Sequence, residues 1–352
     1  MIEFVFSRDS HFNELNQVSK GFLSQLYQIV DYCNVISLEV PTIFKYAEKL
    51  VAEKKISELN LARDEILNSL LKVVVRKNKK FYCIEREPSP DLSSDLKNFV
   101  NDVNEDIRTF FISKISEKAS YDSIYNELFG FFERFKKIIR ARDVNAMNHA
   151  KNLEQNLREK YSDLPENIRF GVLVGAWHSL DRRIFNKYFK QYDFKFFLPF
   201  SGVKEYDEFL CSQIISSVLF FNENIPAEAK TIEPNVHLLF MMYDVFLKDG
   251  ADLFQNKVYS SIFAEQFAFF KKNSNRIIDF EKFNAQLLNV TPSKLRLAGL
   301  IFKEHTKDMM KFYANNCREV KGEVCFILTD KSKLIKEALE LQNKVLKKYG
   351  LK

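Results

Sequence analysis

Several residues of catalytic type stand where apolar runs of this chain end. The stretch FGVLVGAWHSLDRR, Phe170 to Arg183, carries no charge from Phe170 to Trp177 and then delivers His178, in a chain that is 28% charged. A central parallel strand is buried on both faces and reads as a continuous apolar run, so residues 169–177 predict such a strand with His178 at its carboxyl end. Gly175, three residues earlier, would let a backbone or a ligand come close. A fainter copy, FVFSRDSH (4–11), ends in His11, with Asp9 two residues before it to orient the imidazole or share a metal. Glu39 in VISLEVP and Glu85 in FYCIERE close two further apolar runs. A carboxylate at the tip of a buried strand needs a partner or solvent, because desolvation is costly. Two imidazoles and two carboxylates gathered at strand ends could activate a water molecule.

A helix adds an arginine. Phe131, Phe135, Ile138, Ile139, Ala146, Leu153 and Leu157 fall on one stripe at 100° per residue, and Arg142 and His149 fall inside it. An arginine on such a stripe calls for a carboxylate or an anionic ligand, unless its stem carries the charge to the helix edge. His237 and His305 lie in apolar helices and are expected to be core or surface residues.

The elements that must position these residues alternate. Strands are expected at 2–6, 34–41, 79–90, 169–177 and 194–200, with helices at about 18–33, 42–72, 91–160 and 180–191. Strands separated by helices imply parallel pairing, so the expected class is α/β: a mainly parallel or mixed sheet flanked by helices, in two weakly repeated halves. The echo of residues 4–11 in 171–178 would put both histidines at the carboxyl ends of strands, where open sheets of this kind collect ligands. Beyond about residue 200 the pattern turns helical, including a long helix that starts at NVTPSK, with one β-like run, GEVCFIL (322–328), that could rejoin the sheet. The expected domains are 1–200, α/β, and 201–352, a mainly helical domain or cap.

Composition bounds the function classes. The 352 residues are 46% hydrophobic, with 35 Phe and only nine Gly, which describes a folded globular chain. The net charge of +6 is a small surplus of 53 basic over 47 acidic residues. Nucleic acid is therefore not expected as a partner, and the lysine-rich segment 331–352 reads as a solvated helix face. Five scattered cysteines without a CxxC pair support neither a disulfide framework nor a zinc knuckle. The N-terminal segment lacks the pattern of a signal peptide, and no apolar run approaches the roughly 18 residues of a membrane span, so a cytoplasmic location is expected. No Walker loop, GxGxxG, GxSxG, HExxH or EF-hand pattern is found, and no nucleotide cofactor is expected.

Residues 1–200 resemble the TraB/Tiki-type hydrolase-like superfamily, related to ChaN-like and erythromycin-esterase-like proteins. GAWH (175–178) matches that group's second GxxH. RDSH (8–11) resembles the first, with Arg8 in place of glycine. SLEVP (37–41) is similar to its glutamate strand, CIERE (83–87) to a segment ending in acid and arginine, and RDVNAMNHAKNL (142–153) to its Arg-Asn/Asp helix. The resemblance implies a site of His11, Glu39, Arg142 and His178, with Asp9 and Glu85 nearby. It implies a hydrolase of an ester or amide bond in a small-molecule or peptide substrate. Either a divalent metal (Zn, Mn or Co) is held by His11, Glu39 and His178, or His11 acts as general base while Arg142 or His178 stabilises the oxyanion. The alternative is a catalytically inactive member that serves binding or regulation, with the helical C-terminal region offered to a protein partner.

Overall fold

The computed structural model describes residues 1–9, 16–38, 44–55, 65–84, 114, 119–175, 192–221, 226–244, 247, 250–320, 323–326 and 330–351. Among them, β1 (Ile2–Asp9), β2 (Val35–Leu38), β3 (Lys80–Phe81), β4 (Ile168–Gly175), β5 (Asp193–Phe197) and β6 (Ile277–Asp279) form one sheet in the order β3-β2-β4-β1-β5-β6. Pairing is parallel from β3 through β5, and only β6 runs antiparallel. The expected α/β class, a mainly parallel mixed sheet with helices and a helical C-terminal region, is what the chain adopts.

Among the described residues, the helices up to the fifth strand are α1 (Asn16–Tyr32), α2 (Phe44–Ala52), α3 (Glu65–Arg76), α4 (Tyr121–Ala150) and α5 (Leu153–Lys160). Those that follow are α6 (Lys204–Phe221), α7 (Ile232–Asp244), α8 (Gly250–Ile262), α9 (Ala264–Lys272), α10 (Phe280–Leu288), α11 (Pro292–Asn316) and α12 (Lys331–Lys348). Two further strands, β7 (Cys317–Val320) and β8 (Glu323–Phe326), pair only with each other. Among the described residues, Glu323–Phe326 of the run expected over 322–328 thus pair with β7 and not with the main sheet. The single helix expected over 42–72 is not one helix, since α2 ends at Ala52 and Lys54 adopts a left-handed φ of 55°. Of the strand expected over 79–90, only Lys80–Phe81 is strand among the described residues 79–84, and 85–90 lie outside the described residues.

The chain separates into two compact units that interleave along the sequence. Unit 1 comprises Met1–Ser93, Ile139–Ser217 and Gln266–Asn289, and unit 2 comprises Ser94–Ile138, Val218–Glu265 and Val290–Lys352. Neither follows the expected division at residue 200, because β6 and α10 come from late in the chain and complete unit 1.

Side chains alternate across a sheet, and the register shows what each face of unit 1 carries. One face holds Phe4, Phe6, Phe170, Phe194 and Phe196. Phe4 meets Phe170 and Phe194 at ring separations of 5.5 Å, and Phe6 meets Phe280 of α10 at 5.8 Å. Phe196 and Phe283 stack at 3.6 Å. Asp279 caps α10 by accepting the Lys282 N–H at 3.1 Å, so β6 passes directly into this cover. The other face holds Val5, Ser7, Gly171 and Leu173. A side chain at Gly171 would run into Ile36 and the Cys33 Sγ, so glycine here permits the close approach of the segment that ends α1.

Unit 2 is built on α7, α8, α11 and α12. Its core includes Tyr243, Phe254, Tyr259, Phe302, Tyr313, Leu334 and Val345. Among the described residues of the chain, no helix is long and apolar enough to cross a membrane.

Candidate functional site

The candidate residues follow the carboxyl ends of four neighbouring strands. Asp9, the last residue of β1, is in register with Gly175, the last of β4. On the other side of β4, Leu38 at the end of β2 is in register with Leu173. The chain beyond β3 is tied to the end of β2. Tyr82 N–H donates to the Ile36 carbonyl at 3.0 Å, Ile84 N–H donates to the Ser37 Oγ at 3.1 Å, and the Cys83 thiol reaches the Leu38 carbonyl at 3.5 Å.

Read across the sheet, the four chains that leave this edge carry Glu85 one residue after Ile84, Glu39 one after Leu38, His178 three after Gly175 and His11 two after Asp9. His11, Glu39, Glu85 and His178 themselves lie outside the described residues, as does the side chain of Asp9. Among the described residues no group of three or more His, Cys, Asp or Glu could hold a metal ion.

Strand order gives this edge a further property. The chain leaving β1 next enters the sheet at β2, while the chain leaving β4 next enters at β5, on the opposite side. Where two adjacent parallel strands send their connections in opposite directions, a crevice opens at their carboxyl ends and ligands bind there. The reversal falls between β1 and β4, the strands that precede the two histidines.

Several contacts hold the β3 side in place. Glu48 accepts the Cys83 N–H at 3.0 Å and is paired with Lys160. Tyr161 donates its hydroxyl to the Phe81 carbonyl at 2.6 Å. Burial, and then the Glu48 charge, push the Tyr161 phenol above its ordinary value, so it stays a neutral donor. Two residues inside the end of β1, Ser7 is fully buried, and among the described residues its hydroxyl has no hydrogen-bond partner.

Arg142 is described, and the stripe that carries it differs from the one expected. The buried face of α4 in this unit is Ile139, Asp143, Ala146, Met147 and Ala150, whereas Arg142 and His149 are half-buried. Asp143, 6% exposed, is thus the charged residue on the apolar face, one position from the arginine. A buried carboxylate is tolerable only with partners, and both Asp143 and Arg142 have them. The sequence signal for Asp143 was available: it lies four residues after Ile139 and three before Ala146, the spacing of a helix face. Leu153 and Leu157, counted on the same stripe, belong to α5. Compared with known protein families, curated proteins and solved structures, the chain matches none.

Proposed function

We propose that the chain is a hydrolase of an ester or amide bond, acting at the carboxyl edge of β1, β4 and β2. The observation that carries this is the in-register pairing of Asp9 with Gly175 and of Leu38 with Leu173. One, two and three residues of chain reach at most about 3.6, 7 and 11 Å, and paired strands lie about 4.8 Å apart. Covalent geometry therefore permits His11, His178 and Glu39 to meet at this edge.

In this reading His11, oriented by Asp9, removes the proton from a water molecule that attacks the substrate carbonyl. Arg142 or His178 stabilises the charge that develops on the carbonyl oxygen. Glu39 and Glu85 orient the imidazoles and the water. Two imidazoles and a carboxylate are also a donor set suited to Zn, Mn or Co, so His11, Glu39 and His178 would hold such an ion, whose chemistry is to lower the pKa of a bound water. The resemblance to the TraB/Tiki-type group supports the same assignment, as does the reversal in the direction of the connections that leave β1 and β4. A cytoplasmic location and a small-molecule or peptide substrate belong to this proposal.

The test is a screen of ester and amide substrates with the wild type and with His11→Ala, His178→Ala and the double variant, each checked for an unchanged fold by circular dichroism. Loss of one hydrolytic activity in all three variants is expected. Equal activity in the wild type and the double variant would refute the assignment. Elemental analysis of protein prepared without chelator separates the two mechanisms: a near-stoichiometric divalent ion that both single variants lose supports the metal form.

A further inference from the structure

Unit 2 carries a row of lysines beside a ladder of aromatic rings, and neither belongs to the edge described above. Lys303, Lys307 and Lys311 stand four residues apart on α11 and share one side of the helix. The next row round the helix is acidic, Glu304 and Asp308, and it serves α12. Glu304 accepts both a Lys348 Nζ bond at 2.7 Å and the Tyr349 hydroxyl at 2.7 Å, and Asp308 acts electrostatically on the same lysine. Acids and bases of α11 are thus segregated. Among the described residues, none of Lys303, Lys307 and Lys311 forms an ion pair.

The lysine row meets the rings at one measured point. Lys307 Nζ lies 4.8 Å from the centre of the Tyr121 ring. Tyr121 stacks on Tyr125 at 5.7 Å and 22°, and Tyr125 on Phe129 at 6.0 Å and 29°, so one side of α4 presents three roughly parallel rings, each partly exposed. The Tyr121 hydroxyl donates to Asn235 Oδ1 at 2.7 Å, which fixes the first ring. At 1.5 Å per residue the lysine row spans about 12 Å, more than one phosphate group covers. The ladder has a similar length, from Tyr121 to Phe129. Repeated anions combined with repeated flat rings are the chemistry of a single-stranded nucleic acid, whose binding sites combine a basic track with aromatic platforms.

We propose that this face of unit 2 binds single-stranded nucleic acid, with phosphates along Lys303, Lys307 and Lys311 and bases against Tyr121, Tyr125 and Phe129. The contact is tolerant of sequence, since every base has a π face, and it is independent of the hydrolytic reading. The test uses the full chain and a labelled oligouridylate of about 12 nucleotides in fluorescence anisotropy, with inorganic polyphosphate as competitor. Three phosphate contacts predict that log affinity falls with log salt at a slope of about −2. The triple variant Lys303→Gln/Lys307→Gln/Lys311→Gln, at three surface-facing positions, is expected to lose about tenfold or more in affinity at low salt. Tyr125→Leu keeps an apolar residue but removes the stacking face, and is expected to lose about fivefold or more for the oligonucleotide while leaving polyphosphate binding unchanged. Thermal unfolding checks that both variants are folded. The proposal is overturned by the absence of binding at about 20 mM salt, or by full affinity in the triple variant. It is equally overturned if polyphosphate competes as well as the oligonucleotide and Tyr125→Leu changes neither, which would describe a site for polyanions alone.

Discussion

The Ser37 hydroxyl accepts the backbone N–H of Ile84 at 3.1 Å inside the protein, a side-chain bond that helps to join the end of β2 to the chain that has just left β3. It replaces the ladder bond that a longer β3 would have made, and it holds the segments that lead to Glu39 and Glu85 side by side. Ser7, two residues inside the end of β1, is as deeply buried and, among the described residues, has no partner for its hydroxyl.

These two serines should respond oppositely to the same change. Ser37→Ala strands a buried N–H and is expected to cost about 1–3 kcal/mol in urea unfolding. Ser7→Ala removes an unsatisfied hydroxyl and is expected to leave stability unchanged or raise it by up to about 1 kcal/mol. A loss at Ser7 as large as at Ser37 would mean that its hydroxyl is bonded after all.

Acid should weaken unit 2 through His305. This ring is fully buried, with Nε2 2.9 Å from the Tyr243 hydroxyl, Phe254 against its face at 4.1 Å and no partner at Nδ1. Burial lowers its pKa to about 3. The folded value lies below the unfolded one of about 6.5, so the folded state binds fewer protons, and its stability is complete above that pH and declines as pH falls toward 3. At pH 5 the loss is on the order of 2 kcal/mol. His305→Gln keeps a hydrogen-bonding group at this position without the titration, and urea midpoints measured from pH 7.5 to 5 should fall less steeply for it than for the wild type. Identical slopes would remove His305 as the cause.

Two helical glycines of unit 2 should also separate. A Cβ at Gly299 on α11 would press into the Glu228 carbonyl, a backbone atom that cannot swing aside, so Gly299→Ala is expected to destabilise by about 1–3 kcal/mol. Gly130 is exposed inside α4 with nothing near the missing Cβ, and Gly130→Ala is expected to stabilise by about 0.5–1 kcal/mol through helix propensity. Thermal unfolding of the two variants gives the comparison, and a stabilised Gly299→Ala would contradict the packing described.

What could be read in advance depended on whether one physical signal dominated. Phe22, Leu26, Ile29 and Val30 recur at helical spacing, and all four are fully buried in α1. The uncharged run before Trp177 became β4, between β1 and β2, where both faces are covered. β1 was read as ending at Phe6, because Ser7, Arg8 and Asp9 are polar; the sheet extends through them because backbone pairing with β4 continues to Gly175. β6 has three residues, too few for any periodicity, and exists because β5 offers an open edge. At the site, the strands whose ends matter were recognisable by their apolar runs, but the order that makes those ends adjacent was not, since pairing is non-local. Asp143 was overlooked because Arg142 beside it carried the more conspicuous charge, although a difference of 100° around the helix decides which of them faces inward.

The late return of β6 and α10 bears on how the chain comes off the ribosome. Synthesis delivers β1 to β5 first, yet Phe280 and Phe283, which close over Phe6 and Phe196, follow only after much of unit 2 has been made. A nascent chain that stops short of them holds a sheet with one aromatic face uncovered and β5 as a bare edge, the kind of species that associates with its neighbours. The first two hundred residues by themselves lack the cover that Phe280 and Phe283 supply. Their folding is held open until the chain supplies its own lid.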